Sequence, residues 1–570
     1  MWHNKLPLMS WLPQYTRQLL GADVLAGMIV TVMVIPQSLA YALLAGLPAV
    51  VGLYASILPQ LVYSIFGTSR TLAVGPVAII ALMTGAALSN VAAPGSAEYL
   101  EAAWVLALLS GGILVAMGML KMGFFSNFLS HPVISGFLTA SGLLIAASQL
   151  GGLLGIPSGG FTLFERLSSL WAGLPDIHPA TLLMSLGVLA FLVGVRRRGS
   201  ALLQRCGLPA ATAGLMARAG PIVAVLATTL MTRQWQLQDK GIAIVGSIPG
   251  GLPPLSLPWP DPSLWHTLLV PAFLISLVGF VESVSMGQML AAKRRQRIAP
   301  NQELVGLGVA NLAAGVSGAM PVTGGLSRTV ANHQAGAQTP MAGAVAALGI
   351  GLVTYRLTDW LYYLPVATLA AFITVSILTL VDIATLRATW RYSRSDFTAM
   401  AITIILTLSE GIETGIISGI GVSLALYLYR TSRPHSALIG RVPDTEHFRN
   451  ITRHNVETRD HLALLRIDES LYFANARYLE DTLYELVANR PALNHVVIVC
   501  SAVNLIDASA LGSLEAINAR LEDSGVTLNL AEVKGPVMDR LKRSDFPDQL
   551  TGRIFLSTYA AWQTLARPAD

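Results

Sequence analysis

Between residues 23 and 429 the chain is a succession of apolar runs, most of them close to the roughly 20 residues that an α-helix needs to cross the hydrocarbon of a bilayer. They cover 23–45, 47–66, a short run ending near 88, 104–120, 125–150, 180–195, a loosely bounded one at 214–231, and 264–292. After these come 304–319, an interrupted segment near 325–337, 341–353, 364–381, 397–408 and 412–429. In lipid every backbone N–H and C=O must be satisfied within the protein, so runs of this kind fold as helices. About fourteen membrane segments follow. Composition agrees: 12% of residues are charged, where a soluble domain carries about 25%.

The sequence pI of 9.2 does not point to nucleic acid, because the basic residues form short clusters between the apolar runs. Threaded from a cytoplasmic N-terminus, Arg70, Lys121, Arg196, Arg197, Arg198, Lys293, Arg294, Arg295, Arg297, Arg387, Arg391, Arg394, Arg430 and Arg433 all fall inside. Arg166, Arg233, Lys240 and Arg356 fall outside. That asymmetry obeys the positive-inside rule and sets both termini in the cytoplasm of a multi-pass cell (inner) membrane protein. Residues 1–20, with Trp2, Trp11 and Arg17, read as an interfacial lead-in without a cleavage site. Cys206 and Cys500 form no CxxC, so neither a disulfide nor a cysteine metal site is expected. No HExxH, Walker A or GxSxG pattern suggests enzyme chemistry.

Two places break the apolar pattern in the same way. Thr71-Leu-Ala-Val-Gly-Pro76 and Pro321-Val-Thr-Gly-Gly-Leu-Ser-Arg-Thr329 are short, glycine- and proline-interrupted, and flanked by full spans. Paired interrupted segments in the two halves of a chain point to inverted repeats, about 20–235 and 262–431, with a binding site at their interface. A helix starting near Gly325 would aim free N–H groups and a positive dipole end into the membrane interior. Ser327 and Arg328 sit in its first turn, and a buried arginine is a functional candidate. The competing readings are a helix kinked at Gly-Pro and an arginine paired to a carboxylate. Glu282 is the other charge well inside a span. It reads as a titrating group or as a static partner of Arg328.

After residue 433 the charge density rises and the pattern changes. Residues 462–467 and 495–499 read as strands, and 478–488, 509–524 and 535–544 as helices. This predicts a small cytoplasmic α/β domain over 461–570, joined by an irregular polar link at 434–460.

Several motifs together carry a resemblance. They are Asp23-x-x-Ala-Gly27, Ile35-Pro-Gln-Ser-Leu-Ala-Tyr-Ala42, Gly52-Leu-Tyr-Ala-Ser56, Gly67-Thr-Ser-Arg70, Val74-Gly-Pro76, Asn301-Gln-Glu-Leu304 and Pro321 to Arg328. Nearly the whole chain resembles the SulP family of anion transporters, and Asn504-Leu-Ile-Asp-Ala-Ser509 resembles the signature loop of a STAS domain. One departure is that Ala49-Val-Val-Gly-Leu-Tyr54 stands where the family often has Pro-x-Tyr-Gly-Leu-Tyr.

The resemblance implies a uracil-permease-like fold of two inverted repeats of seven segments. A core domain (segments 1–4 and 8–11) would move against a gate domain (5–7 and 12–14). It implies substrate between the half-helices near Val77 and Leu326, with Gln37 and Tyr41 lining the pocket. Their spacing of four agrees, since i and i+4 share a helix face. The family often has a carboxylate at the position of Glu282, which suggests a coupling role. The matching position to Ser509 can be phosphorylated in STAS relatives, while Asp507 and Ser509 also suit a helix cap.

The expected function is proton-coupled sulfate uptake by an elevator-type mechanism. Sodium-coupled bicarbonate transport, proton-coupled dicarboxylate transport, exchange and a channel are the alternatives, with a membrane-anchored sensor more remote. The expected partners are a small inorganic anion or dicarboxylate, a proton or sodium, membrane lipids, a second copy in a homodimer, and a cytoplasmic protein at the STAS domain. No cofactor, metal or nucleic acid is expected.

Overall fold

The computed structural model describes residues 6–567, apart from 128–129, 158, 161, 208, 210–212, 215, 218–219 and 257–261. Trp2 and part of the 214–231 run lie outside the described residues. The chain divides into two compact units, Met1–Ser423 and Leu424–Asp570.

The first unit is mainly helical, and among the described residues the fourteen membrane segments are represented, the last running past Ser423 into the second unit. The first half comprises α1 (Arg17–Leu44), α2 (Ala49–Tyr54), α3 (Leu58–Phe66), α4 (Ala78–Ser89), α5 (Ala97–Met119), α6 (His131–Leu154), α7 (Pro179–Gly194) and α8 (Gly220–Trp235). The second half comprises α9 (Pro262–Lys293), α10 (Pro300–Val316), α11 (Leu326–Gln334), α12 (Met341–Arg356), α13 (Val366–Ile377), α14 (Arg394–Ser409) and α15 (Ile412–Ser432). The run expected as one helix at 47–66 is two pieces, α2 and α3, with the break at residues 55–57 just ahead of Pro59. Proline lacks the N–H that would continue a helical ladder, so it sits in the first turn of a new helix. Gly52 passes α1 so closely that a Cβ would lie 1.8 Å from the Ser38 carbonyl oxygen. The departure at Ala49 and Val51 leaves that contact untouched.

Sequence boundaries moved where capping decides. α1 begins at Arg17, because the Thr16 hydroxyl accepts from Leu19 N. α5 begins at Ala97, because Ser96 caps it in the same way. Two shorter helices, Leu163–Gly173 and Ile383–Tyr392, are polar on one side and carried no apolar run long enough to be noticed.

The two interrupted segments meet. β1 (Val74–Gly75) pairs antiparallel with β2 (Thr323–Gly324), with Val74 opposite Gly324 and Gly75 opposite Thr323. α4 and α11 each start just after their strand, so the two half-helices share one miniature sheet at their N-terminal ends. The antiparallel pairing is what an inverted pair of segments requires.

The second unit is built on a six-stranded sheet in the order β4-β3-β5-β6-β7-β8. Its strands are β3 (Ser436–Arg441), β4 (Phe448–Asn450), β5 (Leu462–Ile467), β6 (His495–Val499), β7 (Thr527–Ala531) and β8 (Ile554–Phe555). β5 to β8 run parallel, β3 adds antiparallel to the β5 edge, and β4 adds antiparallel to β3. The stretch 434–460, expected as an irregular link, therefore contains two strands, and the sheet begins at Ser436 rather than after 460. Helices α16 (Ala476–Ala488) and α17 (Ala508–Asp523) cover one face through Leu479, Leu483, Leu514 and Ile517. Trp562 and Ala561 pack on the other face.

Candidate functional site

The site is assembled from polar side chains that hold bare backbone in place. Thr323 Oγ1 donates to the Gly279 carbonyl at 2.6 Å and shares a 2.8 Å hydrogen bond with Ser283 Oγ. Ser283 Oγ also accepts from Gly324 N at 2.9 Å. Asn311 brackets Val322, accepting from its N–H and donating to its carbonyl, each at 2.9 Å. On the other strand, Val74 N donates to Gln60 Oε1 and Ala73 N to Thr329 Oγ1. Irregular backbone at membrane depth must be satisfied by protein, and α9, α10, α3 and α11 supply the partners.

Arg328 lies on this scaffold, 3% exposed. Its guanidinium donates to the carbonyls of Val74 at 3.3 Å and Pro76 at 2.8 Å. The carboxylate partner weighed from sequence is not found: among the described residues Arg328 forms no ion pair. It ties the second half-helix to the strand ahead of the first. Gly75 (φ +158°) makes this possible, since a Cβ there would stand 1.9 Å from Arg328 Nη1.

The half-helices start with extended residues, Val77 before α4 and Gly325 before α11, and neither N-terminus has a side-chain cap. The first N–H groups of both are thus left without intrahelical acceptors. They border a cavity of about 370 Å³. Gln37, Tyr41, Val77, Leu326, Ser327, Arg328 and Glu282 all line it. The structure therefore brings together every membrane residue singled out from sequence. Gln37 Nε2 donates to Ser327 Oγ at 3.3 Å, joining α1 to α11. Tyr41, one turn further along α1, is buried beside it. Glu282 Oε2 is buried with no hydrogen-bond partner. Arg196 and Ser376 border the cavity from α7's continuation and from α13. Sequence reasoning had used Arg196 only to fix topology.

Two acidic motif residues prove to be clasps outside the cavity. Glu303, 1% exposed, accepts from Tyr63 Oη at 2.7 Å, from Thr68 N at 2.7 Å and Ser69 N at 2.9 Å, and from the Thr68 hydroxyl. It thereby fixes the Gly67-Thr-Ser-Arg70 turn that leads to β1. Asp23, fully buried, takes Gln338 N at 2.7 Å and Thr339 Oγ1 at 2.6 Å and fixes the turn after α11. Each carboxylate reaches into the other half of the unit. The signal was a lone acidic residue beside a span.

In the second unit, Asp507 caps α17 by accepting from Ala510 N at 2.8 Å, while its other oxygen accepts from Phe473 N at 3.0 Å. Ser509 stands exposed in the first turn. The Cys500 thiol is buried in the sheet, and burial, reinforced by the negative charge of Glu532, pushes its pKa up to about 12.

Residues 20–403 match the sulfate permease family, and residues 453–561 match the STAS domain. The chain is 35% identical to the probable sulfate transporter 4.2 of Arabidopsis thaliana, over 99% of this chain and 84% of that protein. It is 32% identical to a probable sulfate transporter of Mycobacterium tuberculosis, over 97% of each. The murine solute carrier 26 family member A9 anion transporter, solved in an inward-facing state, superposes with a TM-score of 0.90 at 25% identity, over 99% of this chain and 94% of that one. On these matches the chain belongs to the sulfate permease family, a family of multi-pass membrane transporters rather than enzymes, and carries a STAS domain after its last membrane segment.

Proposed function

We propose that the protein takes up sulfate by proton-coupled symport, with the anion held between the two half-helices. The observation that carries the reading is a buried guanidinium without a carboxylate partner among the described residues, at the meeting point of two uncapped helix N-termini. A buried charge left unneutralised is costly, and helix N-termini favour anions, so the cavity is electrostatically matched to an anion. Ser327 and Gln37 supply further donors, Tyr41 flanks them, and Val77 and Leu326 form the walls. The relatives' names supply sulfate as the substrate.

The residues that line the cavity support alternating access. Gln37, Ser327 and Arg328 belong to segments 1 and 10, and Arg196 and Ser376 come from segments 6 and 12. Sliding the first group against the second would carry the anion across in an elevator motion. Glu282 shares the cavity and has an oxygen free of partners, so it is the group suited to carry the proton. Protonating it removes a negative charge facing the anion, and that coupling is reciprocal. The STAS domain, lacking any apolar span, regulates, dimerises or recruits a cytoplasmic partner rather than conducting.

Labelled sulfate uptake into proteoliposomes tests the reading. Wild type should concentrate sulfate under an inward proton gradient without sodium. Glu282→Gln should still bind sulfate but fail to concentrate it. Accumulation by Glu282→Gln, or a wild-type response to sodium alone, rejects the proton role. Absence of any sulfate uptake favours the sensor alternative.

A further inference from the structure

α7 does not stop at Gly194. It continues through a π-helical turn, Val195–Gly199, into a helix over Ser200–Arg205. A π turn re-aims the side chains that follow it, and such turns recur at functional sites. Here the turn contains Arg196, Arg197 and Arg198. Arg196 borders the central cavity together with Arg328 and Glu282. It also borders an adjoining cavity of about 500 Å³, where Arg197 joins it. Gln37, Ser327, Val330 and Ser376 line both cavities, so the two adjoin across these side chains.

The Arg196 side chain is exposed at this junction and reaches a backbone carbonyl of α13. Its Nη1 donates to the Val375 carbonyl at 3.1 Å, and among the described residues its remaining N–H groups have no protein partner and no carboxylate pairs with it. Two guanidinium groups therefore face one anion path, Arg328 from α11 and Arg196 from the continuation of α7.

We propose that Arg196 is a second anion-contacting cation, and that the pair of guanidinium groups makes this path prefer doubly charged anions to singly charged ones. The inference rests on the central cavity being the anion site. Its physical basis is that Coulomb energy scales with the product of the charges. At equal distance, a contact with Arg196 contributes twice as much free energy for a dianion as for a monoanion. A tenfold loss for sulfate thus corresponds to about a threefold loss for chloride, because affinity is logarithmic in free energy. The alternative is that Arg196 only holds the cytoplasmic end of its segment. In that case its neutralisation would not discriminate between anions.

The test is equilibrium binding of labelled sulfate to the purified full-length protein, with chloride as competitor. Arg196→Gln should raise the sulfate dissociation constant about tenfold and the chloride constant about threefold, and Arg196→Lys should keep the wild-type ratio. Equal shifts for both anions, or no shift, overturn the proposal. Ser327→Phe, which places a bulky ring in the central cavity beside Arg328, separates the central site from the Arg196 contact. If it abolishes sulfate binding while Arg196→Gln changes nothing, only the Arg196 inference falls. If Ser327→Phe leaves sulfate binding intact, the central site falls and the inference with it.

Discussion

Arg328 does two jobs with one guanidinium. Its donors reach the carbonyls of Val74 and Pro76, so it closes the gap between the two interrupted segments, and its charge borders the cavity. Losing a charge-assisted contact costs about 1.5–3 kcal/mol, which is roughly tenfold or more in affinity. Arg328→Ala should therefore raise the sulfate dissociation constant at least tenfold in binding to purified protein. Arg328→Lys separates the roles. A lysine restores the charge but lacks the planar fork that bridges two acceptors. It should recover only part of the affinity, and full recovery would mean that the carbonyl bridge contributes nothing to binding.

At the scale of elements, the half-helices depend on how tightly β1 passes Arg328. Gly75 does not line the cavity, yet any Cβ there collides with the guanidinium at 1.9 Å. Gly75→Ala should weaken sulfate binding by displacing Arg328, and titration of the purified variant reads this directly. An unchanged affinity would show that β1 can shift without moving the arginine. The same elements show what was legible beforehand. Length and hydropathy marked the membrane helices, because a bilayer demands uninterrupted apolar runs, and the glycine-proline interruptions marked the two that break. Val77, Leu326, Gln37 and Tyr41 came through family resemblance, since an apolar or singly polar residue in a span carries little signal of its own. The strand partners Asn311, Ser283 and Gln60 went unnoticed because one polar residue in an apolar helix looks the same whether it serves backbone or ligand. β3 was missed because Ser436, Gly440 and Arg441 leave it only a three-residue apolar run, and β4 because it is a three-residue strand at the sheet's edge. β7 was missed because Asn529 interrupts its apolar run. That asparagine is buried to join neighbours, donating to the Val496 carbonyl at 3.3 Å and accepting from Arg553 N at 2.8 Å.

At the scale of the whole molecule, orientation in the membrane rests on the distribution of positive charge, and the two cysteines make it measurable. Cys206 is exposed and follows the arginine-rich turn and helix that continue α7, which positive-inside counting assigns to the cytoplasm. Cys500 is buried in the second unit with its thiol pushed up to about 12, by burial first and by Glu532 second. The thiolate is the reactive form, so the raised pKa keeps Cys500 as the unreactive thiol at neutral pH, and burial shields it further. A membrane-impermeant maleimide should therefore label one cysteine in inside-out vesicles and none in intact cells. Cys206→Ser should abolish the labelling, and denaturant should restore it by exposing Cys500. Labelling of Cys206 from outside intact cells would invert the orientation and move the Arg196 junction to the opposite mouth of the transport path. Labelling of Cys500 in the folded protein would show that the sheet opens far more readily than its packing implies.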